Sequence, residues 1–315
     1  WNVVTVDETA GRLMLGTRRA GSWAKQPLEA IGTEGGPTDI ALAEDGTVLL
    51  AFYDADGHRL RFGSNRGGDW QFMTVDDHGA VGSHLSLALD GSATPHIAYY
   101  DGDHQALNYA HWTGDRWQVE TVDGNPGAGQ HVSLAVDGSN MLHIAYYDAS
   151  QGDLRYARGT FGAWDLSAVD CAWDVGRNAS LDLDSQDQVH ISYYDAANKA
   201  LKYAFQTGGG WTVVTVDETG SAGMYSSLAL DQADRPHIAY HVQEPGGLRY
   251  TYQEGADWRT TDVVTARNTG SYLSLALDAS GQPHISFYNG LYHDLMVAQG
   301  LGTHHYLPAL HAPAQ

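Results

Sequence analysis

An all-β chain is expected from three observations. A block of 47 residues recurs along the sequence, each block carries four short runs of alternating apolar and polar residues, and glycine, asparagine or aspartate fills the gaps between runs. Recurrence is the strongest of the three, because a fixed period of this length marks a repeat architecture. Trp23, Trp70, Trp117, Trp164, Trp211 and Trp258 stand 47 residues apart, and Gly35, Gly82, Gly129, Gly176, Gly223 and Gly270 keep the same interval. So do His96, His143, His190, His237 and His284. Ser86, Ser133, Ser180, Ser227 and Ser274 follow suit, with Asp39 in the first serine's place. No insertion or deletion interrupts the count from Trp23 to Trp258.

Within one block the runs are 85–89 (LSLAL), 96–101 (HIAYYD), 107–110 (LNYA) and 117–122 (WQVETV). Runs this short with period two are strands, not helices. Four antiparallel strands per block make one blade of a β-propeller. The first strand then lines the central channel, and the longest connection, such as 123–132, leads from the outer edge of one blade to the inner strand of the next. On the first strand Leu85, Leu87 and Leu89 point one way, and Ser86 and Ala88 point the other. A large face can therefore nest against the small face of the neighbouring blade.

Complete units begin near 38, 85, 132, 179, 226 and 273. A partial blade precedes them at 1–31, where strands near 2–7, 12–17 and 23–29 fall in register with strands two, three and four. The expectation is one seven-bladed domain over 1–315, with one inner strand missing. The tail from His304, HHYLPALHAPAQ, is by register the outer strand of the last unit, with Pro308 tolerated on an edge. By similarity, Tyr306-Leu307-Pro308-Ala309-Leu310 echoes Tyr272-Leu273-Ser274-Leu275-Ala276 and could supply the missing inner strand. WNVVTVDET at 1–9 nearly matches WTVVTVDET at 211–219, an outer strand, so the N-terminus could instead close the last blade. An unfilled position would leave an edge open to a partner's strand, and hence to oligomerisation.

Hydrophobic residues make up 43 % of the 315, enough for a large core. The formal net charge of −21, from 38 acidic and 17 basic residues, argues against nucleic acid or an anionic membrane as partner. No apolar run approaches the roughly 18 residues of a membrane span, so membrane insertion is not expected. Cys171 is the only cysteine, which excludes an intrachain disulfide, and a lone cysteine of this kind is expected to be buried packing. The chain opens at Trp1 rather than Met and is read as trimmed, consistent with an extracellular or cell-surface protein. Asn178-Ala179-Ser180 is a single glycosylation triplet.

The turns before each tryptophan, such as SNRGGDW at 64–70 and TRRAGSW at 17–23, resemble a shortened Asp-box, the motif between strands three and four in sialidase-like propellers. A repeated histidine on the second strand together with a repeated tryptophan is similar to the layout of WD-repeat blades. Repeat lectins and polysaccharide lyases also use propellers of this kind. The resemblance implies architecture only. Sialidases use an arginine triad, whereas among the equivalent entry positions here only Arg177 is an arginine.

Residues repeated in every blade are read as structural. Each histidine is expected to bridge a neighbouring hydroxyl, such as Ser86 for His96, and a backbone carbonyl. Asp54, Asp101, Asp148 and Asp195 suit turn capping. Five dispersed imidazoles do not make one metal site, and Asp54-Ala-Asp-Gly57 lacks the rest of a calcium loop, so no metal or cofactor is expected. Function is sought where the frame varies. Two residues after each repeated glycine stand Pro37, His84, His131, Asn178, Tyr225 and Tyr272, and Arg177 lies beside Asn178. His241 and Asn289 break the aromatic-acid ending of the second strand, and His104, Tyr292 and His293 vary in the following turns. His84, His131, Arg177, Asn178, Tyr225, Tyr272, His241 and His293 are the candidate ligand-binding residues: aromatic faces for sugar rings, amide and imidazole for hydroxyls. The expected activity is recognition of a carbohydrate or protein at the channel mouth. The alternatives are a polysaccharide lyase using His and Tyr on the same face, and a structural or assembly role.

Overall fold

The second run of each block, HIAYYD and its variants, is apolar almost throughout, which is the pattern of a strand covered on both faces. In the computed structural model, which describes residues 1–300 except Ala20, Glu34 and Gly209 together with the backbone of 307–309, these runs are buried strands at the middle of their sheets. The chain is an all-β, seven-bladed β-propeller. The first blade has three strands, β1 (Asn2–Asp7), β2 (Arg12–Arg19) and β3 (Ser22–Ala30). The second has β4 (Thr38–Leu42), β5 (Val48–Asp54), β6 (Arg59–Ser64) and β7 (Gln71–Asp76). The third has β8 (Val81–Leu89), β9 (Pro95–Asp101), β10 (Ala106–Trp112) and β11 (Trp117–Asp123). The fourth has β12 (Gln130–Val136), β13 (Leu142–Asp148), β14 (Asp153–Thr160) and β15 (Ala163–Asp170). The fifth has β16 (Val175–Leu183), β17 (Val189–Asp195), β18 (Ala200–Thr207) and β19 (Gly210–Asp217). The sixth has β20 (Ala222–Leu230), β21 (Pro236–Val242), β22 (Gly247–Glu254) and β23 (Asp257–Val264). The seventh has β24 (Thr269–Leu277), β25 (Pro283–Asn289), β26 (Asp294–Gln299) and β27 (Leu307–Ala309). Each sheet is an antiparallel meander, and no α-helix occurs among the described residues. No helix is long and apolar enough to cross a membrane.

The tail takes the in-register alternative. Leu307–Ala309 pairs with β26 as the outer strand of the last sheet, with Pro308 opposite Met296 at the edge. That placement overturns the reading in which Leu307-Pro308-Ala309 completes the first blade; Tyr306 and Leu310 lie outside the described residues. β1 pairs with β2 in register with the second strands of the other blades, so it does not close the last sheet either. Among the described residues the first blade lacks an inner strand.

The described residues divide into two compact units, 1–151 with 155–168, and 152–154 with those from Val169 on. Within each, the core lies in layers between neighbouring sheets. In the first unit Leu87 is buried with Leu49, Leu60 and Phe62 of the preceding sheet, and Leu85 and Leu89 pack on the same layer. Ala88 and Ala98, on the opposite face, join Leu134, Ile144 and Tyr146 of the following sheet. Large side chains thus face one neighbour and small ones the other, as the alternation anticipates. Repeated tryptophans close these layers: Trp117 stands edge-on to Phe62 at 5.1 Å and Trp164 edge-on to Tyr109 at 5.4 Å. In the second unit Trp258 meets Tyr203 the same way at 5.4 Å.

The repeated serines tie sheet to sheet. The Leu134 amide donates to Ser86 Oγ at 3.1 Å, Leu228 to Ser180 at 3.0 Å and Leu275 to Ser227 at 3.0 Å. Ser86 is therefore not the partner of His96, as the sequence reading expects. His96 Nδ1 meets the Tyr109 hydroxyl at 2.5 Å, and its Nε2 lies 3.6 Å from Asp90. His143 bonds Tyr156 at 2.6 Å and Asp137 at 3.2 Å. His190 and His237 likewise join Tyr203 and Asp184, and Tyr250 and Asp231. A carboxylate can only accept, so Nε2 carries the proton, and Nδ1 of the neutral ring accepts the tyrosine O–H. Burial holds His237 below its ordinary pKa, which keeps that ring neutral. The histidines are structural, as expected, with a tyrosine hydroxyl and a turn aspartate in place of the serine and carbonyl.

Candidate functional site

From the third blade on, the inner strand begins at its repeated glycine with positive φ, pressed against the leucine near the start of the third strand of the preceding blade. A Cβ on Gly129 would stand 2.8 Å from Leu107 Cα, and one on Gly223 2.7 Å from Leu201 Cα. No other residue fits that approach. Directly after it the ladder slips: the register to the second strand shifts between Val81 and Leu85, Gln130 and Ser133, Arg177 and Ser180, Met224 and Ser227, and Ser271 and Ser274. The residue at the crest of the bulge is one of the variable candidates. His131, Asn178, Tyr225 and Tyr272 hold φ of 51°, 54°, 53° and 48°. A non-glycine residue in this region is uncommon, and an aromatic one more so. A bulge re-aims its side chain, so one backbone device presents histidine, asparagine or tyrosine in the fourth to seventh blades.

The presented groups lean on the aromatic residue that ends the second strand. In the first unit His84 stands 4.8 Å from His131, with Tyr100 at 6.0 Å from His84 and Tyr147 at 6.1 Å from His131. Burial lowers the pKa of His84, so the ring is neutral at physiological pH and can both donate and accept. In the second unit Tyr225 and Tyr272 lie 4.9 Å apart, with His241 at 6.1 Å from Tyr225 and Tyr288 at 6.4 Å from Tyr272. Burial, then the neighbouring Tyr272 hydroxyl, raises the pKa of Tyr225 and keeps it protonated. Burial lowers that of His241. Tyr272 is 73 % exposed, an unusual position for so large an aromatic ring.

The other candidates are placed as follows. Arg177 Nε donates to Asp174 Oδ1 at 2.7 Å. The Asn178 carbonyl accepts from Ser226 Oγ at 2.8 Å, which anchors the bulge. His293 Nδ1 meets the Tyr288 hydroxyl at 2.8 Å, and His58 repeats that arrangement with Tyr53 at 2.9 Å. Pro37 gives only its carbonyl, accepting from the Tyr53 amide. His104 is held by Asp101 at 2.8 Å. Asp101, Asp148 and Asp195 cap the turns after the second strand through backbone amides, as expected. Cys171 is exposed, contrary to the expectation of a packed thiol, and Trp173 beside it is 69 % exposed with φ of 67°. Sequence reading misses the second-strand aromatics Tyr100, Tyr147 and Tyr288 as site groups. They recur with the period and so look like framework, although each flanks a variable residue.

No family model and no curated protein matches this chain. Solved structures do match it. A putative 6-phosphogluconolactonase from Bacteroides uniformis ATCC 8492 superposes with a TM-score of 0.64 at 13% identity over 98% of this chain and 94% of that one. SapL1 lectin in complex with alpha methyl fucoside gives 0.59 at 13% identity, covering 88% and 97%. An ulvan lyase, described as a new family of polysaccharide lyase, gives 0.60 at 13% identity, covering 85% and 81%. At such identities the likeness is one of fold, and it carries the architectural resemblance to lectin and lyase propellers.

Proposed function

We propose that this propeller is a recognition module without catalytic activity that binds carbohydrate on the bulge-mounted side chains, outside the cell or at its surface. The observation that carries this reading is the pairing of exposed Tyr272 with Tyr225, 4.9 Å apart, on a backbone bulge that recurs from blade to blade. An aromatic face covers the apolar C–H face of a sugar ring, while tyrosine hydroxyls and the neutral imidazole of His241 beside Tyr225 serve its hydroxyls. The lectin among the structural neighbours, solved with a methyl fucoside, supports the same class of ligand. Lyase chemistry requires a cation for the uronate carboxylate, and Arg177 already has Asp174 on its guanidinium.

The test is a glycan array followed by calorimetric titration of the best glycan into the wild type and Tyr272→Ala. Tyr272 is exposed, so its removal spares the core. Loss of one stacking ring is expected to weaken binding by roughly tenfold, the equivalent of about 1.5 kcal/mol. Equal affinity in the two proteins, or an array with no bound glycan, refutes the reading.

A further inference from the structure

Buried charge follows a rule in this protein, and one blade breaks it. At one position of the third strand most blades place a cation that reaches an acid at the end of the preceding blade's outer strand and, where present, a second acid at the end of its own second strand. Arg61 lies 3.1 Å from Glu29 and 3.7 Å from Asp54. Arg155 lies 3.9 Å from Asp123. Lys202 lies 2.6 Å from Asp170 and 3.5 Å from Asp195, and Arg249 lies 2.9 Å from Asp217. In the first blade the position is Met14, and the second-strand acid, Asp7, is only half-buried. In the seventh blade the position is Met296, and the two acids have gone with the cation, replaced by Val264 and Asn289. In the third blade the position is Asn108, yet both acids remain: Asp76 and Asp101 are each 6 % exposed. Among the described residues neither carboxylate has a lysine or arginine partner: Asp76 accepts the Tyr99 hydroxyl at 2.6 Å, and the groups that could carry positive charge there are exposed imidazoles, although buried charge ordinarily requires an opposite one.

Three independent features converge on that place. Asn108 is itself 6 % exposed, and while its Nδ2 donates to Asp101 Oδ2 at 3.3 Å, its Oδ1 has no hydrogen-bond partner. A buried carbonyl left without a donor calls for a group that is not part of the chain. An open cavity of about 390 Å³ lies against it, lined by Asp76, Asp77, His78, Asp101, His104 and Asn108. Both histidines occur in this blade alone: their counterparts are Asn125, Ala172 and Thr219 for His78, and Gly57, Gln151 and Asn198 for His104. His78 Nδ1 lies 3.0 Å from Asp76 and His104 Nδ1 lies 2.8 Å from Asp101. One ligand atom each from Asp76, Asp77 and His78 lie within 4.8 Å of one another, the spacing of donors around one ion with bonds of about 2.0–2.6 Å.

We infer that this cavity is a binding site for a divalent metal cation, held by Asp76, Asp77 and His78 where the other blades bring an arginine or lysine to the equivalent acid, with Asp101, His104 and Asn108 forming the adjoining wall. Mixed carboxylate and imidazole donors select an ion of the zinc class over calcium, which prefers an all-oxygen set. The ion neutralises the buried charge of Asp76 at an interface between sheets, so it acts as a structural pin for the third blade. The site is separate from the bulge-mounted residues, and nothing in it depends on the carbohydrate reading.

The experiment uses the untagged full chain, stripped with chelator and titrated with zinc chloride by calorimetry, with thermal midpoints read in parallel. The wild type is expected to bind one tight equivalent and to melt higher with zinc. His78→Ala/His104→Ala removes two exposed side chains, 91 % and 75 % accessible, and leaves the core intact. Its affinity is expected to fall by roughly tenfold or more, since disturbing even the groups that orient a metal ligand costs that much. Asn108→Arg restores the internal cation of the other blades and is expected to abolish the tight equivalent while the protein stays folded. If that variant does not fold, the double histidine variant decides alone. A wild type that takes up no zinc overturns the inference, since protonated imidazoles then serve in the arginine's place. So does a tight equivalent that survives in the histidine variant. Calcium binding that ignores the loss of both imidazoles overturns the assignment of His78 as a donor.

Discussion

Asp39 occupies the position that serine holds in every later blade, and the substitution of an ionisable group for a hydroxyl has a measurable consequence. Its Oδ2 accepts the Leu87 amide at 2.7 Å and the Ser86 hydroxyl at 3.4 Å, while Oδ1 accepts the Ile40 amide at 2.8 Å. Burial outweighs these bonds and raises its pKa from 3.8 to about 6. The folded chain therefore holds this proton more tightly than the unfolded chain does. Ionisation costs folding nothing below about pH 3.8, and the cost grows as pH rises and is complete above pH 6. At about 1.36 kcal/mol per unit, the shift corresponds to at most about 3 kcal/mol. Asp39→Ser keeps an acceptor for the Leu87 amide, on the precedent of Ser86 with Leu134, and removes the charge. The variant is expected to be more stable than the wild type at pH 8 by up to about 3 kcal/mol, with most of that advantage gone at pH 4. Thermal midpoints of both proteins at pH 4, 5, 6, 7 and 8 measure it. A difference that is flat across this range, or a wild type that is the more stable at pH 8, refutes the argument.

Leu87→Asn places an amide in the layer shared with Leu49, Leu60 and Phe62 and is expected to destabilise by about 2–5 kcal/mol, as burial of a polar group combined with lost packing does; an unchanged thermal midpoint would contradict the layered core. His143→Phe keeps the ring volume and removes the bonds to Tyr156 and Asp137, so a loss of about 2–4 kcal/mol is expected in urea unfolding. A neutral result there would mean that the imidazole contributes only packing.

The repeat made the blades legible because covalent spacing is preserved without a gap from Trp23 to Trp258, so strand identity transfers from one block to the next. The ends were less legible. Leu307–Ala309 and Asn2–Asp7 each resemble more than one strand of the block, and pairing is decided by tertiary neighbours that no short motif encodes. The histidine partners were present in the pattern, since Asp90, Asp137, Asp184, Asp231 and Asp278 recur at the same interval as the histidines. They went unassigned because a turn residue six positions upstream becomes a neighbour only when the hairpin closes. The variable candidates were found from their departure from the period. The bulge beneath them was not, because a register slip leaves no residue type of its own: His131, Asn178, Tyr225 and Tyr272 share a φ near 50° and little else.

That last point explains why one frame can carry two kinds of variation with different meanings. Where the backbone is fixed by a glycine packed against a leucine, as at Gly129 on Leu107, the next residues are free to change at little cost to the fold. Change there alters the presented group and leaves the frame as it is. The third-strand cation is the opposite case. Arg61, Arg155, Lys202 and Arg249 are each bound to buried acids, so change there carries a cost unless the acids change too, as they do around Met296. Asn108 departs without that compensation while its acids stay, and this contrast with the freely varying bulge residues is the physical reason to look for a bound cation at Asn108 and a bound sugar on the bulges.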